Sequence, residues 1–537
     1  MLPTHIPRAV LTCVFCGLCL LGSLSFSSPA EAQVTAFRQA VAEAAARDRD
    51  LAEFYRGRNF EGIWTGSAER DQERRNAFLS ELAAASTHGL PANLYDVEAT
   101  MADMRAAQTP SEQGLVEVKL TELFLEYARD IQTGLLTPQD VDPLIKRVVP
   151  VRERLELLAE FAASDPVDFL RSLPPNTAEY NRLRREKIRL EASINSGGWG
   201  PELRLKKLEI GDSGPTVVEL RNRLISMGFL GRTASQSYDA EIEAAVRRFQ
   251  DAHGLEVDGT AGEGTLREIN VSMERRLQSV MVAMERERWN NQPRGDRHIW
   301  VNLTDFTARI VDHDVVSFET RSVIGANDQD RQSPEFSDVM EFMVINPSWY
   351  VPRSIITKEY LPQLQRNPNA VRHLEITDRR GRRVNRGAVD FTQFNARNFP
   401  FAMRQPPSRS NALGLVKFMF PNQYNIYLHD TPAKNLFSRE TRAYSHGCIR
   451  LNDPFDFAYE LLAKQSPDPV GFFQSRLQSG NETRVDLDEP VPVHLVYRTA
   501  FTDPLGNLNF RRDVYGRDRK IWDALSREGV VVRGVQG

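Results

Sequence analysis

Cysteine is nearly absent from this chain. Of four cysteines in 537 residues, three lie at positions 13, 16 and 19, and Cys448 is the only one beyond them. That excludes a disulfide framework across the body of the chain, and nine histidines with one thiol offer no Cys/His spacing for a zinc site. An excess of charge of one sign is lacking too. The 68 Lys and Arg stand against 72 Asp and Glu, a net charge near −4, which gives no support to general nucleic-acid binding. No low-complexity tract appears, and beyond the first 32 residues no apolar run could span a bilayer. What is present is a globular chain long enough for three or more domains, each burying its own core.

Residues 1–32 read as an export signal. Arg8 gives a short basic start, Ala9 to Phe26 is apolar or small, and Ala30-Glu31-Ala32 is an A-x-A cleavage site that leaves Gln33 first. No lipobox precedes Cys13, Cys16 or Cys19. An uncleaved inner-membrane anchor is the alternative, because the apolar run approaches spanning length. The one thiol left suits an oxidising compartment, where a second cysteine would silence the first.

Residues 33–199 are predicted to be mostly helical, with Phe37, Val41, Ala44 and Ala45 at helical spacing, as are Leu79, Leu82 and Ala83. His88-Gly89-Leu90-Pro91 reads as a helix stop, and Ser196 to Pro201 as a linker. Three short helices are predicted within residues 204–275, and a longer one from Met273 to Trp289. Over residues 296–480 the period changes to two, with strands expected at 299–303, 308–311, 318–324, 340–345, 416–420 and 424–429. Alternation along the last strand places Asn425 and Tyr427 on the face of His429, as a polar wall. An insertion at 350–404 should carry a helix through Leu361–Leu364 and a hairpin near Thr377–Arg383, with five arginines from Arg379 to Arg386. Residues 481–537 are expected to form a hairpin and a last helix near Trp522, packed onto the preceding domain.

The chemistry concentrates at Ser445-His446-Gly447-Cys448-Ile449-Arg450. A thiolate is the nucleophile in cysteine chemistry, and a base must make it available near neutral pH. His446 lies two residues upstream and His429 nineteen. Gly447 allows a tight turn, so that amide N–H groups converge beside the sulfur as an oxyanion hole. A solitary cysteine by itself would be a small buried hydrophobe. Here His429, a gap of fifteen residues and then Ser-His-Gly-Cys form a rarer pattern. It resembles the signature of L,D-transpeptidases, and Arg450 also suits that family.

The resemblance continues through NPSWYVPRSI, NALGLVKFMFPN and YLHDTP. The run AVRRFQDAHGLEVDGTAGEGT is similar to the small three-helix peptidoglycan-binding domain, and residues 33–199 to the scaffold domain of the larger Gram-negative members. It implies an α+β multidomain chain: helical scaffold, peptidoglycan-binding domain at 204–275, and a mainly β catalytic domain at 296–480 whose insertion is a lid. The implied activity is periplasmic 3→3 cross-linking of peptidoglycan stems, from a donor tetrapeptide to an acceptor stem, with carbapenems as inhibitors. Other wall-synthesis proteins are implied partners; no cofactor and no metal are. By the same resemblance Cys448 is the nucleophile and His429 the base, oriented by the carbonyl of Asp430, with His446 a second candidate. The N–H groups of His446, Gly447 and Cys448 are the oxyanion donors. Ser445 and Arg450 hold the loop or meet a substrate carboxylate, and Tyr427 and Asn425 line the pocket. L,D-carboxypeptidase action, attachment of an outer-membrane protein to the wall, and a non-catalytic wall-binding scaffold are the alternatives.

Overall fold

The computed structural model describes residues 29–290 and 292–532, so the expected signal lies outside the described residues up to position 28. Among the described residues no helix is long and apolar enough to cross a membrane. Two compact units are present, and they cut across the punctuation of the sequence. Residues up to Arg75 with Glu98–Glu122 form one; Asn76–Val97 with Leu123 onward form the other.

In the first unit, the short connection after the helix Arg49–Gly57 folds around one carboxylate. Buried Glu117 accepts the N–H groups of Ile63 at 2.7 Å, Trp64 at 3.1 Å and Thr65 at 2.9 Å, and the Tyr55 hydroxyl at 3.0 Å. Charge-assisted bonds to an anion are about twice as strong as neutral ones, which is how a glutamate tolerates this burial. Gly62 makes room for it, since a Cβ there would lie 2.7 Å from Glu117 Oε2.

In the second unit, the helices Pro215–Ser226, Ala240–Ala252 and Glu263–Ile269 enclose Val217, Leu220, Leu224, Ile242, Val246, Phe249 and Ile269. Asp239 opens the middle helix by accepting the N–H groups of Glu241 and Ile242. The helix Met273–Trp289 follows, packed on Ala178–Asn195 and buried along most of its length.

The rest of this unit is organised by a sheet. Its strands are β1 (Arg297–Asn302), β2 (Thr307–Asp312), β3 (Val315–Gly325), β4 (Phe336–Ile345), β8 (Val416–Met419), β9 (Leu428–His429), β10 (Ala443–Ser445), β11 (Ile449–Leu451) and β12 (Thr483–Val496), with β5 (Trp349–Tyr350), β6 (Glu375–Thr377) and β7 (Ala402–Gln405) set apart in the insertion. Among the described residues the main sheet runs β10-β3-β11-β9-β8-β4-β12-β1-β2. The long β3 pairs with β2 along its first half and with β11 and β10 along its second, so the sheet curls back on itself. One face buries Val301, Met343, Phe418, Leu428, Ile449 and Val493, covered by Phe457 and Leu461 of the helix Pro454–Leu462.

Two expectations are corrected. The strand predicted over 424–429 is only Leu428–His429, because Asn425 takes a left-handed backbone (φ 54°) that breaks any extended run. Alternation therefore does not set the face of Asn425 or Tyr427. The segment 481–537 is not an appendage either. Its first part is β12, hydrogen-bonded between β4 and β1 inside the sheet, with Leu495 beside Phe336 and Val301. Its last helix, Arg517–Arg527, sends Ile521 and Leu525 into the core shared by Leu183 and Leu277 rather than onto the sheet.

The insertion folds on its own core. The strands β5, β7 and β6 pair in that order, and Trp349, Ile355, Leu361, Leu364, Ile376 and Phe399 close beneath them. Its predicted helix is present, with a π-helical stretch at Ile356–Tyr360 between Arg353–Ile355 and Leu361–Arg366.

Candidate active site

Three neighbouring strands build the site. Register places Lys417 of β8 opposite His429 of β9, and His429 opposite Arg450 of β11. Their neighbours Phe418, Leu428, Ile449 and Leu451 go to the core, so the three polar side chains share the other face. Cys448 immediately precedes β11 and remains partly exposed.

His429 is buried, and its Nδ1 lies in hydrogen-bond contact with the carbonyl oxygen of Asp430. A carbonyl can only accept, so Nδ1 carries the proton and Nε2 presents a lone pair. Burial, with Arg450 beside it, pushes the imidazole down to about 3, so it stays neutral at ordinary pH. Asp430 is itself pinned: its Oδ2 accepts the Leu415 N–H at 2.9 Å and its Oδ1 pairs with Lys434 at 2.9 Å. Gly414 permits that packing, with φ 62° and a Cβ position that would fall 2.2 Å from Asp430 Oδ2.

The Cys448 thiol donates to the carbonyl of Asn425 at 3.5 Å. Burial pushes it up to about 11, against the pull of hydrogen bonds from the Tyr427 backbone and hydroxyl and of the cations Arg450 and Lys417. The resting pair is therefore a neutral thiol and a neutral imidazole. Gly447 has φ 107°, a conformation that glycine adopts without a Cβ penalty, and its carbonyl accepts from the Ser333 hydroxyl at 2.6 Å. Ser333 also takes the Gly325 N–H at 2.9 Å, while Tyr515 donates to the Gly325 carbonyl at 2.6 Å. The turn before the thiol is thus fixed from β3 and from the C-terminal segment. Among the described residues, no hydrogen bond uses the N–H groups of Gly447 and Cys448.

The other sequence candidates divide. Tyr427 reaches the thiol through its hydroxyl and lies 5.7 Å, ring to ring, from His429. Asn425 meets the sulfur through its backbone, while its side chain is at the surface. Ser445 is buried, and its carbonyl accepts the Ala326 N–H at 2.7 Å. The Nε of Arg450 is buried with no hydrogen-bond partner among the described residues, and its charge stands beside the Cys448 thiol. His446 points away to Glu359 of the insertion, with Nε2 to Oε1 at 2.5 Å. Of the arginines, Arg382 and Arg383 pair with Asp378 and Glu375, and Arg386 donates to the carbonyls of Ala370, Val371 and Leu374. Lys417, Ser333, Gly414 and Glu359 were not singled out from the sequence. Only Lys417 and Gly414 carried any signal there, inside NALGLVKFMFPN. Among the described residues no group of three or more His, Cys, Asp or Glu could hold a metal ion.

Three family models match parts of the chain. Residues 49–186 match the family model "Scaffold domain", 213–269 "Putative peptidoglycan binding domain", and 296–470 "L,D-transpeptidase catalytic domain". A Haemophilus influenzae protein named "Putative L,D-transpeptidase" is 31% identical over 258 residues, 46% of this chain and 51% of that protein. The chain thus spans about half the length of the curated relative it matches. A solved L,D-transpeptidase structure from Xylanimonas cellulosilytica shows 14% identity over 55% of this chain and 100% of that one, with a TM-score of 0.17. Another, from Stackebrandtia nassauensis, shows 14% identity over 54% and 94%, with a TM-score of 0.22. Residues 296–470 are a catalytic domain of the L,D-transpeptidase family, carried on one chain with a scaffold domain and a peptidoglycan-binding domain.

Proposed function

We propose that the protein is a peptidoglycan L,D-transpeptidase acting through a Cys448 thioester. The observation that carries this reading is the His429 ring, which is held through Nδ1 by the Asp430 carbonyl and stands in one cross-strand row with Arg450, two residues beyond the thiol. In the first half-reaction the Cys448 proton passes to His429 Nε2 as the sulfur bonds to the carbonyl carbon of the third residue in a donor tetrapeptide stem. The N–H groups of His446, Gly447 and Cys448 receive the oxyanion, and Arg450 and Lys417 favour the charge that forms on sulfur. The C–N bond to the terminal D-Ala then breaks, with His429 returning the proton to the leaving amine. In the second half, the side-chain amine of a neighbouring stem gives a proton to His429 and attacks the thioester. The thiolate leaves and takes that proton back, and a 3→3 cross-link results. Two acyl transfers replace one difficult amide–amine exchange.

The site favours His429 over His446 as the base, because His446 Nε2 is engaged by Glu359. That contact also seats the insertion against the Cys448 loop, and Lys358 pairs with Asp330 beside it. In this reading the insertion is a lid that keeps water from the thioester, so that amine transfer outruns hydrolysis. The export signal would deliver the chain to the periplasm, where its substrate is found.

Mass spectrometry of muropeptides, with intact-protein mass after carbapenem treatment, tests the reaction. Wild type should form cross-linked dimer and gain one drug molecule, and folded Cys448→Ala should do neither. His429→Ala should slow acylation by about 10²–10⁴-fold, the scale of a lost general base. Dimer formation by folded Cys448→Ala would refute the nucleophile; a larger loss in His446→Ala than in His429→Ala would refute the division of roles. Hydrolysed tripeptide as the sole product would establish the carboxypeptidase alternative.

A further inference from the structure

Away from the thiol, a cavity of about 210 Å³ opens over β4, β12 and β1, and it shares no lining residue with the Cys448 site. Ser337, His494 and Trp300 face it from the three strands, and Lys146, Arg147 and Arg294 come from the segments beside them. Among the described residues none that lines it is acidic.

The polar groups of the wall are set in a chain. Arg147 donates to the Ser337 hydroxyl at 2.5 Å and to the Leu495 carbonyl at 2.8 Å. His494 lies 2.8 Å from Ser337 through Nδ1 and 2.9 Å from the Arg294 carbonyl through Nε2. Since that carbonyl can only accept, Nε2 carries the proton and Nδ1 takes the hydroxyl's. Burial pushes His494 down to about 4, so it adds no charge. The guanidinium of Arg294 lies over the Trp300 ring at 4.7 Å.

Charge around the cavity is out of balance. Among the described residues Arg147 and Lys146 have no carboxylate partner; Lys146 lies over the Tyr424 ring at 5.7 Å. Behind the wall, Glu335 is shared by Arg286 at 2.6 Å and Arg517 at 3.0 Å, and Asp518 takes Arg286 at 2.9 Å. Glu287 is shared by Arg294 and Arg498. Lys146 and Arg147 thus stand outside these ion pairs, whereas Arg294 and Arg498 also feel the charge of Glu179. Lys146 and Arg147 are half-buried at this cavity, so an anion that enters it meets two cations outside any ion pair. Burial pushes Arg147 down to about 10 against the pull of Glu335, and Arg286, Arg498 and Arg294 add to the fall.

We propose that this cavity is an oxyanion-binding site, distinct from the Cys448 cleft, that takes a carboxylate carried on a single sugar or short peptide unit. Lys146 and Arg147 meet the carboxylate, while Trp300, its ring held by Arg294 at 4.7 Å and Arg498 at 4.9 Å, lines the wall. The volume admits one such unit and not a drug-sized ligand. That the carboxylate belongs to a wall peptide stem rests on the transpeptidase reading; the anion site does not. Such a site would hold a second stem of the polymer while the first is processed.

The test uses the full chain carrying Cys448→Ala, so that binding is read without acyl transfer. Titration calorimetry with a soluble disaccharide-tripeptide should show saturable, salt-sensitive binding. Lys146→Gln should weaken it about tenfold and Lys146→Glu should abolish it, with melting unchanged in both. The same ligand with its carboxylates amidated should not bind. Equal affinity in the parent and Lys146→Glu would overturn the site, since binding at the cleft or at the peptidoglycan-binding domain would not depend on Lys146. Inorganic phosphate that binds with the same Lys146 dependence, and that the muropeptide fails to displace, would overturn the wall stem as the source. Failure of acylation in the wild type would count against the transpeptidase alone and leave this result standing.

Discussion

Gly414→Ala is the substitution that most directly tests how the histidine is aimed. Two costs add. An alanine at φ 62° sits in the left-handed region, at about 1–2 kcal/mol. Its Cβ would also fall 2.2 Å from Oδ2, 2.3 Å from Cγ and 2.5 Å from Cβ of Asp430, so that carboxylate must move. Moving it breaks the 2.9 Å bond from the Leu415 N–H, and a hydrogen bond to a charged group is worth about 1.5–3 kcal/mol. The sum is about 2.5–5 kcal/mol, local to the end of β9. Asp430 also supplies the carbonyl that holds His429 Nδ1, and a shift near 1 Å in a catalytic group can cost about 10²-fold in rate. Carbapenem acylation followed by intact-protein mass should therefore slow about a hundredfold, and the melting temperature should fall. Gly387→Ala is the control, because its Cβ would meet only Asn385 Oδ1 at 3.5 Å. It should stay within about 0.5 kcal/mol of wild type. A Gly414→Ala protein with wild-type melting and acylation would refute the claim that Asp430 sets the imidazole.

Lys417→Met removes one of the two cations beside the thiol, so the thiolate becomes harder to form; acylation at neutral pH should slow about tenfold and the alkaline rise of the pH–rate profile should move up, whereas an unmoved profile would mean that Lys417 is only packed there. His429 and His494 titrate at about 3 and about 4 in the folded protein against an ordinary value near 6.5, so their stabilisation is complete above pH 6.5 and declines as pH falls toward those values. By pH 5 each should cost about 2 kcal/mol, and thermal melts that stay level from pH 7 to 5 would contradict it. Shortening the hairpin at Arg379–Arg383 while keeping Arg386, which holds the carbonyls of Ala370 and Val371, should raise the ratio of hydrolysed tripeptide to cross-linked dimer; an unchanged ratio in a folded variant would leave the insertion without a lid role.

Local pattern carried much of this architecture into the sequence. The three helices around Val217, Ile242 and Leu266 were legible because apolar residues recur at helical spacing and Asp239 caps the middle one. Strands with one buried face were legible for the same kind of reason. What failed was set by partners far along the chain. The residues before His429 alternate like a strand, but the side chain of Asn422 accepts the N–H groups of Tyr424 and Ile426 and turns the backbone locally. Ser333 fixes the Gly447 carbonyl from 114 positions away, a distance at which no spacing rule operates. That the Nε of Arg450 is buried without a partner among the described residues is visible only once its neighbours are known.

The placement of β12 bears on how the molecule comes to exist. Val493 lies beside Ile299 and Leu495 beside Phe336, so residues from the last tenth of the chain close a sheet begun about two hundred positions earlier. Pairings this distant in sequence must meet their loop-closure entropy before they gain anything. While the chain is being made, β1 and β4 have open edges where β12 will later insert, and such edges invite association with other chains. Helical parts can fold as they emerge, but the sheet that holds His429 and the Cys448 turn must wait for completion. Cutting the chain near residue 480, where its pattern suggests a boundary, would therefore yield aggregate and not a smaller enzyme.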